Sequence, residues 1–559
     1  MFLCFSIVLA VSIARLLFIQ FFRSSYLRGI AKKQHNLLVE LEPCRGAIYD
    51  VNLRPQAVNI SADSLYACPN DITAKDKELI IAKLSAILKV DDAYLKERLY
   101  RDKAFVWLAR KLEPAQSEAI RRLKLKGIDF IKESKRCYPN GYLASHIIGF
   151  AGLDNTGLEG LELYYDKYLK GEAGWELFLR DARQKKLDLR EKMLLPKDGY
   201  DLVLTIDEVI QYIAERELER AYRANHAKGA SIIVMNPYTG AILAMANRPT
   251  YDLNNYKNSG KDEKRNRAIT DLFEPGSIFK IVTASAAIEE KKVSEPDRFF
   301  CENGSYQVGP HILHDHRPHG WLTFQEVIEQ SSNIGTTKVA QILGSSIIYR
   351  YEKLFGFGAK TGVNIPGEIT GIVKEPRQWS KISIAAIPIG QEVGVTAIQL
   401  AAAISVIANG GQLVRPYIVK EIRDKYAETI KSFSPLVVRR VISPDTAGRM
   451  KKILTGVVED GTGKLAKVSG FSAAGKTGTA QKLEPNGTYS HDKFVASFIG
   501  FAPADNPVIA IVVIVDEPRP YYFGGVVAAP VFKKVAADTL RYLRTKQLEY
   551  QVLALNEPR

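Results

Sequence analysis

A serine and a lysine stand three positions apart in the segment EPGSIFKIVTASAAIEE, a spacing that can support nucleophilic catalysis. Pro275-Gly276 is a helix-start signal and an Ala-rich apolar stretch follows, so Ser277 is predicted in the first turn of a helix. Ser277 and Lys280 would then share one helix face, about 5–6 Å apart at Cβ, near the positive end of the helix. A lysine whose pKa is lowered by its apolar surroundings can accept the serine proton, which would make Ser277 a nucleophile for acyl transfer.

A Ser-x-x-Lys spacing alone is weak evidence, because it arises by chance about once or twice in a chain of this length. Two further motifs follow it along the chain, Ser331-Ser332-Asn333 in EVIEQSSNIGTTKVA and Lys476-Thr477-Gly478-Thr479 in AAGKTGTAQK. The three motifs in this order are what indicates a serine enzyme.

The second and third motifs supply the remaining chemical groups. Ser331 can pass a proton to a departing amine, and the amide of Asn333 can hold a peptide bond of the substrate. Lys476 adds positive charge for a terminal carboxylate and helps to keep Lys280 neutral.

Three small residues after Lys476 complete the candidate substrate-binding strand. Thr477 and Thr479 offer hydroxyls to the same terminal carboxylate, and Gly478 lets the strand backbone approach closely. The backbone N–H groups of Ser277 and Thr479 are candidates for an oxyanion hole.

The elements around these motifs predict one large domain that begins near Asp198. The domain opens with YDLVLTID, EVIQYIAERELERAYRAN predicts a helix, and GASIIVMNP with TGAILAMAN predicts a hairpin turned at Asn236-Pro237. VASFIGFAP and VIAIVVIVDEP predict two more apolar strands before a last helix, FKKVAADTLRYLRTK. We expect the strands from both ends of this domain to pair into one central sheet with helices on its faces.

An apolar run from Phe2 to Phe22 predicts a membrane anchor, since about 30 Å of hydrocarbon needs about 20 helical residues. Arg15 is its one charged residue, and small residues that would mark a signal cleavage site are missing before Arg23. A buried core helix is the alternative interpretation.

The charges beside this run conflict with an external body. Arg23, Arg28, Lys32 and Lys33 all follow the run, and by the positive-inside rule they predict a cytoplasmic body. A true start upstream of Met1, with a basic cytoplasmic stub, would resolve the conflict.

The sequence between the anchor and the large domain predicts an accessory region. Residues 23–44 are predicted to form a polar, helix-prone stem, and residues 45–195 an α+β accessory domain. Within it, DARQKKLDLREK is interpreted as a solvated hairpin or strand edge, and a boundary follows near Pro196.

Composition and net charge narrow the classes of function and partner that fit the chain. The 559 residues are 46% hydrophobic and 25% charged, which is typical of globular proteins, and the net charge of +15 fits a polyanionic partner. Because no zinc finger, RNA-binding strand or concentrated basic arm is found, we expect an anionic envelope and no nucleic acid.

The cysteine and histidine patterns predict no metal and no cofactor. The five cysteines lack metal or redox spacings. Four histidines and Asp315 in HILHDHRPHG suggest a metal cluster, but Arg317-Pro318 excludes a continuous helix, and a polar loop is the preferred interpretation.

The three motifs resemble the active sites of penicillin-binding proteins and serine β-lactamases. The resemblance to class B penicillin-binding proteins extends along the chain, through RGAIYD, RCYPNGYLASHIIGFAGLDNTGLEGLE, NRAITDLFEPGSIFK, GQEVGVTAIQLAAA and FGGVVAAPVF. Val51 and Leu53 depart from it, since the family often has Arg and Gly there. Ser331-Ser332-Asn333 and GQEVGVTAIQLA look like the division-specific branch, and the elongation branch tends to have Asp at position 333.

The resemblance implies an α+β architecture in four parts. These are a transmembrane anchor (1–22), an elongated α+β pedestal of the penicillin-binding protein dimerisation type (23–197), a transpeptidase domain with a central antiparallel sheet flanked by helices (198–545), and a tail (546–559).

It also implies a peptidoglycan D,D-transpeptidase of septal cell division. Ser277 would attack the penultimate D-alanine carbonyl of a stem peptide, release D-alanine and pass the acyl group to an amine on a neighbouring strand. Penicillin and other β-lactams would acylate the same serine. The implied partners are stem peptides, the cell membrane and division-machinery membrane proteins that include a glycan polymerase, with the catalytic body on the outer, periplasmic side.

Other functions stay open. They are an elongation- or sporulation-specific transpeptidase, a β-lactamase, a bifunctional enzyme with glycan polymerase activity, and a non-catalytic penicillin-binding scaffold or sensor. A β-lactamase would need a water-activating acid between Asn333 and Lys476, and no Glu-x-x-Leu-Asn is found there. The accessory region leaves little room for a polymerase domain.

Overall fold

The computed structural model describes residues 2–24, 26, 36–103, 105–180, 186–484 and 486–556. The helices within them are α1 (Phe2–Phe22), α2 (Ala74–Leu88), α3 (Asp92–Leu99), α4 (Pro114–Arg122), α5 (Ser145–Ile148), α6 (Gly160–Tyr164), α7 (Asp166–Leu169), α8 (Glu208–Ala224), α9 (Lys261–Lys264), α10 (Arg267–Thr270), α11 (Lys280–Glu289), α12 (Phe324–Glu329), α13 (Asn333–Leu343), α14 (Ser345–Leu354), α15 (Ser383–Ala386), α16 (Ala397–Ala408), α17 (Pro444–Glu459), α18 (Gly524–Val527) and α19 (Ala529–Asn556).

The strands fall into several sheets. They are β1 (Asn36–Leu41), β2 (Ile48–Tyr49), β3 (Pro55–Ala67), β4 (Val106–Ala109), β5 (Ile128–Cys137), β6 (Gly174–Arg180), β7 (Lys186–Leu194), β8 (Asp201–Leu204), β9 (Gly229–Met235), β10 (Ile242–Arg248), β11 (Arg298–Phe300), β12 (Ser305–Val308), β13 (His311–His314), β14 (Trp321–Thr323), β15 (Gln412–Val414), β16 (Val419–Arg423), β17 (Thr429–Ser432), β18 (Val437–Arg440), β19 (Ala474–Leu483), β20 (Tyr489–Ala502) and β21 (Ile509–Asp516).

The chain divides into two compact units whose segments interleave. The first comprises residues 1–46, 59–135 and 167–200, and the second comprises residues 47–58, 136–166 and 201–559. The domain bounds expected from the sequence stay a prediction.

A small helical core stabilises the first unit. Thr73 caps α2 by accepting a hydrogen bond from the Asp76 N–H, which fixes where the helix starts. Ile80, Ile81 and Leu84 on one face of α2 are buried with apolar residues of α3, α4 and β4. This spacing is that of an amphipathic helix whose apolar stripe covers a core.

Helix α1 contributes to no core. It is 21 residues long with a mean hydropathy of 2.5, and none of its side chains is buried. Within the described residues it is the one helix that is long and apolar enough to cross a membrane. The predicted apolar helix is therefore present as a continuous span.

The stem prediction was wrong for its last residues. β1 is a strand that pairs antiparallel with β6, and β6 pairs with β7 in the same three-stranded sheet. The apolar residues of this segment, NLLVEL, fit a strand as well as a helix, and its backbone groups are hydrogen-bonded to β6. The antiparallel pairing of β6 with β7 agrees with the predicted hairpin or strand edge, of which residues 181–185 lie outside the described residues.

The second unit is built on a five-stranded antiparallel sheet in the order β10-β9-β21-β20-β19. The predicted hairpin β9–β10 and the predicted strands within β20 and β21 are confirmed, as is their union in one sheet. All seven residues of β9 are buried, because the strand is central and both of its faces are covered.

Helices cover both faces of this sheet. Apolar residues of α8 and α19 share one core with the strands. α16 is buried along its whole length, and α11, α13 and α17 lie in the same helical layer, so the second unit holds the motif-bearing elements firmly. The predicted helices EVIQYIAERELERAYRAN and FKKVAADTLRYLRTK lie in α8 and α19.

A tight turn between β2 and β3 contains one of the departures from the family pattern. The Asp50 carboxylate accepts hydrogen bonds from the N–H groups of Asn52 and Arg54, each at 2.8 Å. Leu53 lies between them with φ 63° and is 51% exposed. A left-handed backbone costs a residue with a Cβ roughly 1–2 kcal/mol, which explains why glycine suits this position.

Candidate active site

Ser277 lies in a 3-10 turn, Gly276–Phe279, that leads directly into α11. The regular α-helix begins at Lys280, so the predicted first helical turn is a tighter one. Gly276 has φ 57°, and a Cβ there would lie 2.9 Å from the Thr479 carbonyl oxygen. A glycine at this position therefore lets the serine turn lie against β19.

Lys280 lies in the centre of a hydrogen-bonded network. Its side chain is fully buried, and Nζ donates to the Ser331 carbonyl oxygen at 2.7 Å and to Asn333 Oδ1 at 2.8 Å. A longer contact of 3.3 Å joins Nζ to Ser331 Oγ. Burial lowers the pKa of Lys280 to about 7, although the charge of Asp315 opposes the shift. Lys280 can therefore lose its proton near neutral pH.

A second buried lysine meets the same serine. Lys476 projects from β19, and its Nζ donates to Ser331 Oγ at 2.8 Å. Burial lowers the pKa of Lys476 well below its usual value, and repulsion from Lys280 lowers it further. Two lysines so close cannot both hold a full charge without a large cost.

The Ser331 hydroxyl is therefore placed between two amines. Both lysines donate to Oγ, which leaves the hydroxyl hydrogen of Ser331 available to a third group. Ser331 has φ 60°, a conformation that is rare for residues other than glycine and that recurs at functional sites. This geometry suits a hydroxyl that relays protons.

Asp315 fixes the second motif, and its role was missed from the sequence. Its carboxylate accepts hydrogen bonds from Ser332 Oγ at 2.6 Å and from the N–H groups of Asn333 and Ile334 at 2.5 and 3.0 Å. It thus caps the N-terminus of α13, where a negative charge is favourable. The sequence signal is an acidic residue among histidines, a pattern that suggests a metal ligand and does not by itself indicate a helix cap.

The histidine-rich segment is partly a strand. The polar-loop interpretation was wrong for β13. This strand pairs antiparallel with β12, with Ile312 opposite Gln307 and Leu313 opposite Tyr306. The His314 carbonyl oxygen accepts a hydrogen bond from Asn333 Nδ2 at 2.9 Å, so this strand helps to orient the amide. Among the described residues, no group of three His, Cys, Asp or Glu side chains could hold a metal ion.

The third motif forms part of strand β19. Thr477 Oγ1 lies 2.8 Å from Thr462 Oγ1, and Thr479 Oγ1 accepts a hydrogen bond from the Gly524 N–H at 3.1 Å. A Cβ at Gly478 would lie 2.3 Å from Ser497 Oγ and 2.9 Å from Ile278 Cγ2, so only glycine fits between these neighbours.

Gly390 connects the serine turn to the segment GQEVGVTAIQLAAA. Its carbonyl oxygen accepts a hydrogen bond from the Gly276 N–H at 3.1 Å, and a Cβ at Gly390 would lie 2.2 Å from the Gly276 carbonyl oxygen. The structure thus brings Lys280, Ser331, Asn333 and Lys476 into one network and places Ser277 one turn before Lys280.

Two known protein families match successive parts of the chain. The family described as the penicillin binding protein transpeptidase domain matches residues 230–537. The family described as the penicillin-binding protein dimerisation domain matches residues 40–204.

Named relatives align along most of the chain. Stage V sporulation protein D of Bacillus subtilis is 38% identical over 547 residues, which cover 96% of this chain and 84% of that protein. Probable peptidoglycan D,D-transpeptidase PenA of Neisseria gonorrhoeae is 33% identical and covers 96% and 91%. Peptidoglycan D,D-transpeptidase FtsI of Escherichia coli is 31% identical and covers 96% and 90%.

Solved structures share the fold. Penicillin binding protein 3 of Mycobacterium tuberculosis, complexed with aztreonam, is 30% identical with a TM-score of 0.71, over 90% of this chain and 97% of that chain. Penicillin Binding Protein 2X of Streptococcus thermophilus is 24% identical with a TM-score of 0.74, over 90% and 80% of the two chains, and shows the fold alone.

We expect Asp315→Asn to lower the free energy of unfolding by about 2 kcal/mol, because the charge that caps α13 is lost. Urea denaturation of the purified chain, followed by tryptophan fluorescence, measures the change. Asp252→Asn is the control, since Asp252 accepts one exposed hydrogen bond from the Asn254 N–H, and it should cost about 0.5 kcal/mol or less. Equal effects of the two substitutions would contradict the anchoring role of Asp315.

Proposed function

This chain belongs to the class B penicillin-binding proteins, and we propose that it is a serine-type peptidoglycan D,D-transpeptidase with Ser277 as its nucleophile. The observation that carries the proposal is that two buried lysines contact the Ser331 hydroxyl, and that one of them, Lys280, lies one turn after Ser277. The pKa of Lys280, about 7, supports its role as the base that takes the serine proton.

In the proposed acylation step, an ester bond to Ser277 forms and the C–N bond to the terminal D-alanine breaks. Ser277 Oγ attacks the carbonyl carbon of the penultimate D-alanine, and its proton passes to Lys280 Nζ. The C–N bond to the terminal D-alanine then breaks, and the departing nitrogen takes a proton from Ser331 Oγ, which is refilled from the lysines. The products are an ester on Ser277 and free D-alanine.

Transfer reverses these roles. The amine of a neighbouring stem peptide attacks the ester carbonyl, loses a proton through Ser331 or Lys280, and displaces Ser277 Oγ, which regains its hydrogen. A new amide joins two stem peptides. Because the network around Lys280 serves both half-reactions, one set of residues is sufficient for cross-linking.

The substrate carboxylate is assigned to β19. Lys476, Thr477 and Thr479 are the proposed groups for it, and the Thr477 hydroxyl would share its hydrogen bond with Thr462 when substrate binds. The backbone N–H groups of Ser277 and Thr479 form the proposed oxyanion hole. Asn333, held by its hydrogen bond to His314, would orient a peptide bond of the donor.

A septal role is proposed for the whole protein. The motif Ser331-Ser332-Asn333 supports this branch, and FtsI and PenA are among the relatives. A role in sporulation is the second candidate, because the relative at 38% identity carries the name Stage V sporulation protein D. In the septal role we expect division-machinery membrane proteins, including a glycan polymerase, as partners.

We propose that α1 anchors the chain in the cell membrane with the catalytic body outside. The length and hydropathy of α1 support the anchor, and the location of peptidoglycan supports the orientation. The basic residues that follow α1 oppose it under the positive-inside rule.

A fluorescent penicillin should form a stable covalent adduct with the wild-type chain, and Ser277→Ala should abolish the adduct. Ser285→Ala is the matched control, because Ser285 lies further along α11 and its buried hydroxyl has no partner. Gel fluorescence over time measures labelling and release. Labelling of Ser277→Ala would refute the assignment of Ser277 as the nucleophile, and rapid release of the label would indicate a β-lactamase. The orientation of the catalytic body is tested separately, by labelling spheroplasts with a membrane-impermeant penicillin.

The rate of penicillin acylation should rise about tenfold between pH 6 and pH 8, with a midpoint near 7. The sign follows from the role of Lys280, since only the neutral amine, which predominates above its pKa, can accept the serine proton. Stopped-flow acylation across this range measures the profile. Lys280→Arg should remain almost inactive at every pH, and a flat wild-type profile would exclude Lys280 as the base.

Depletion of the protein in its native host distinguishes the proposed biological roles. A septal enzyme should leave cells that grow as filaments, because cross-linking at the division site stops while elongation continues. Phase microscopy and septum staining measure this result. Rounded cells would favour an elongation role, and normal growth with defective spores would favour the sporulation role.

A further inference from the structure

A cavity of about 700 Å³ lies next to the catalytic motifs in the second unit. Its walls include the end of β19, from Gln481 to Leu483, and the segment that ends at Glu274, three residues before Ser277. None of the residues proposed for catalysis or for carboxylate binding lines it. The cavity is therefore a separate space, close in sequence to both the nucleophile and the substrate-binding strand.

Every lysine and arginine that lines the cavity already has an acidic partner. The pairs are Lys228 with Glu517, Arg265 with Asp271, Arg267 with Asp262 and Asp271, Lys374 with Glu392, and Lys482 with Asp516 and Glu517. The cations of the wall are thus neutralised by neighbouring carboxylates, which leaves the wall little attraction for an anionic ligand.

Glu274 is the exception among the acids of the wall. Its Oε1 accepts hydrogen bonds from the Glu392 N–H at 2.8 Å and from the Tyr489 hydroxyl at 3.2 Å. Within the described residues its buried Oε2 has no hydrogen-bond partner, and Lys374, whose charge acts on Glu274, forms its ion pair with Glu392. Burial raises the pKa of this carboxyl, although its two hydrogen bonds and the charge of Lys374 oppose the shift.

We propose that this cavity binds a protonated primary amine of a peptidoglycan stem peptide, with the Glu274 carboxylate as the counter-ion. The inference rests on the proposed transpeptidase function, and it names a substrate group that the three catalytic motifs leave unassigned. An ammonium group supplies both things that Glu274 lacks, a positive charge and N–H donors for Oε2. Because the other carboxylates of the wall already hold cations, Glu274 is where such a group gains most.

The position of Glu274 suits a subsite that works with Ser277. The Glu274 carboxylate accepts a hydrogen bond from the Glu392 N–H. Two residues before Glu392, the Gly390 carbonyl oxygen accepts a hydrogen bond from the N–H of Gly276, the residue before the proposed nucleophile. A peptide that extends along β19 past Thr479 reaches the cavity wall at Gln481. The amine is assigned to the donor stem, because the acceptor amine must reach the Ser277 ester as a neutral nucleophile.

Glu274→Gln in the full-length, detergent-solubilised chain tests the proposal. Glutamine keeps an oxygen for the Glu392 N–H and removes the charge. The donor arm compares acylation by two acyl-L-lysyl-D-alanyl thioesters, one with a free lysine amine and one with that amine acetylated. The acceptor arm measures how the acyl-enzyme partitions between hydrolysis and transfer to a lysine-containing peptide, with a side-chain-acetylated peptide as the blank.

We expect Glu274→Gln to lose about tenfold in the donor arm, and only with the free amine, which is the size expected for one hydrogen bond to a charged group. A loss in transfer alone, with donor acylation unchanged, would contradict the assignment to the donor stem. Asp262→Asn is the charge-matched control, since Asp262 is already paired with Arg267, and its effect should stay below about threefold.

Equal effects of Glu274→Gln on the free-amine thioester and on the acetylated thioester would overturn the proposal. A uniform loss with every substrate would also overturn it, because Glu274 would then act only through the position of the serine turn. Failure of the proposed function itself would look different, since the wild-type chain would then form no Ser277-dependent adduct with penicillin or with either thioester.

Discussion

Two lysine amines donate to one serine hydroxyl inside the second unit, and the surrounding structure makes this arrangement stable. Lys280 and Lys476 are both fully buried, so water cannot solvate their charge. The Ser331 carbonyl and the Asn333 amide give Lys280 two good acceptors, and the charge of Asp315 acts against the fall in its pKa. Asp315 therefore holds the helix that carries Asn333 and also influences how easily Lys280 is deprotonated.

Backbone contacts between distant segments provide the rigidity that this network needs. The serine turn, the Gly390 segment and β19 approach each other closely, because a Cβ at Gly276, Gly390 or Gly478 would lie 2.9, 2.2 or 3.0 Å from a backbone oxygen of a neighbouring segment. Side chains that pack between segments can rotate, but backbones in direct contact allow little adjustment. The proposed catalytic groups are thus positioned by main chain as much as by side-chain packing.

The sequence predicted the sheet, its long helices and the motif residues, because apolar runs and spaced polar groups are local signals. It did not predict the role of Asp315, which depends on β13 lying beside α13, a contact between segments that no local pattern encodes. Strand β1 was not predicted for the same reason, because a short apolar segment such as NLLVEL forms a strand only when it can pair with β6. The 3-10 turn before Lys280 depends likewise on the packing of Gly276 against Gly390 and Thr479.

The strand order of the central sheet sets a constraint on how the chain can be made. β9 is synthesised early, yet its partner β21 comes near the end of the chain, with Met235 opposite Ala510. Until those late residues emerge, the apolar edge of β9 has no native neighbour on that side and is open to pairing with other chains. Nascent or C-terminally truncated chains are therefore the forms most exposed to aggregation, and the cell must shield that edge until synthesis is almost complete.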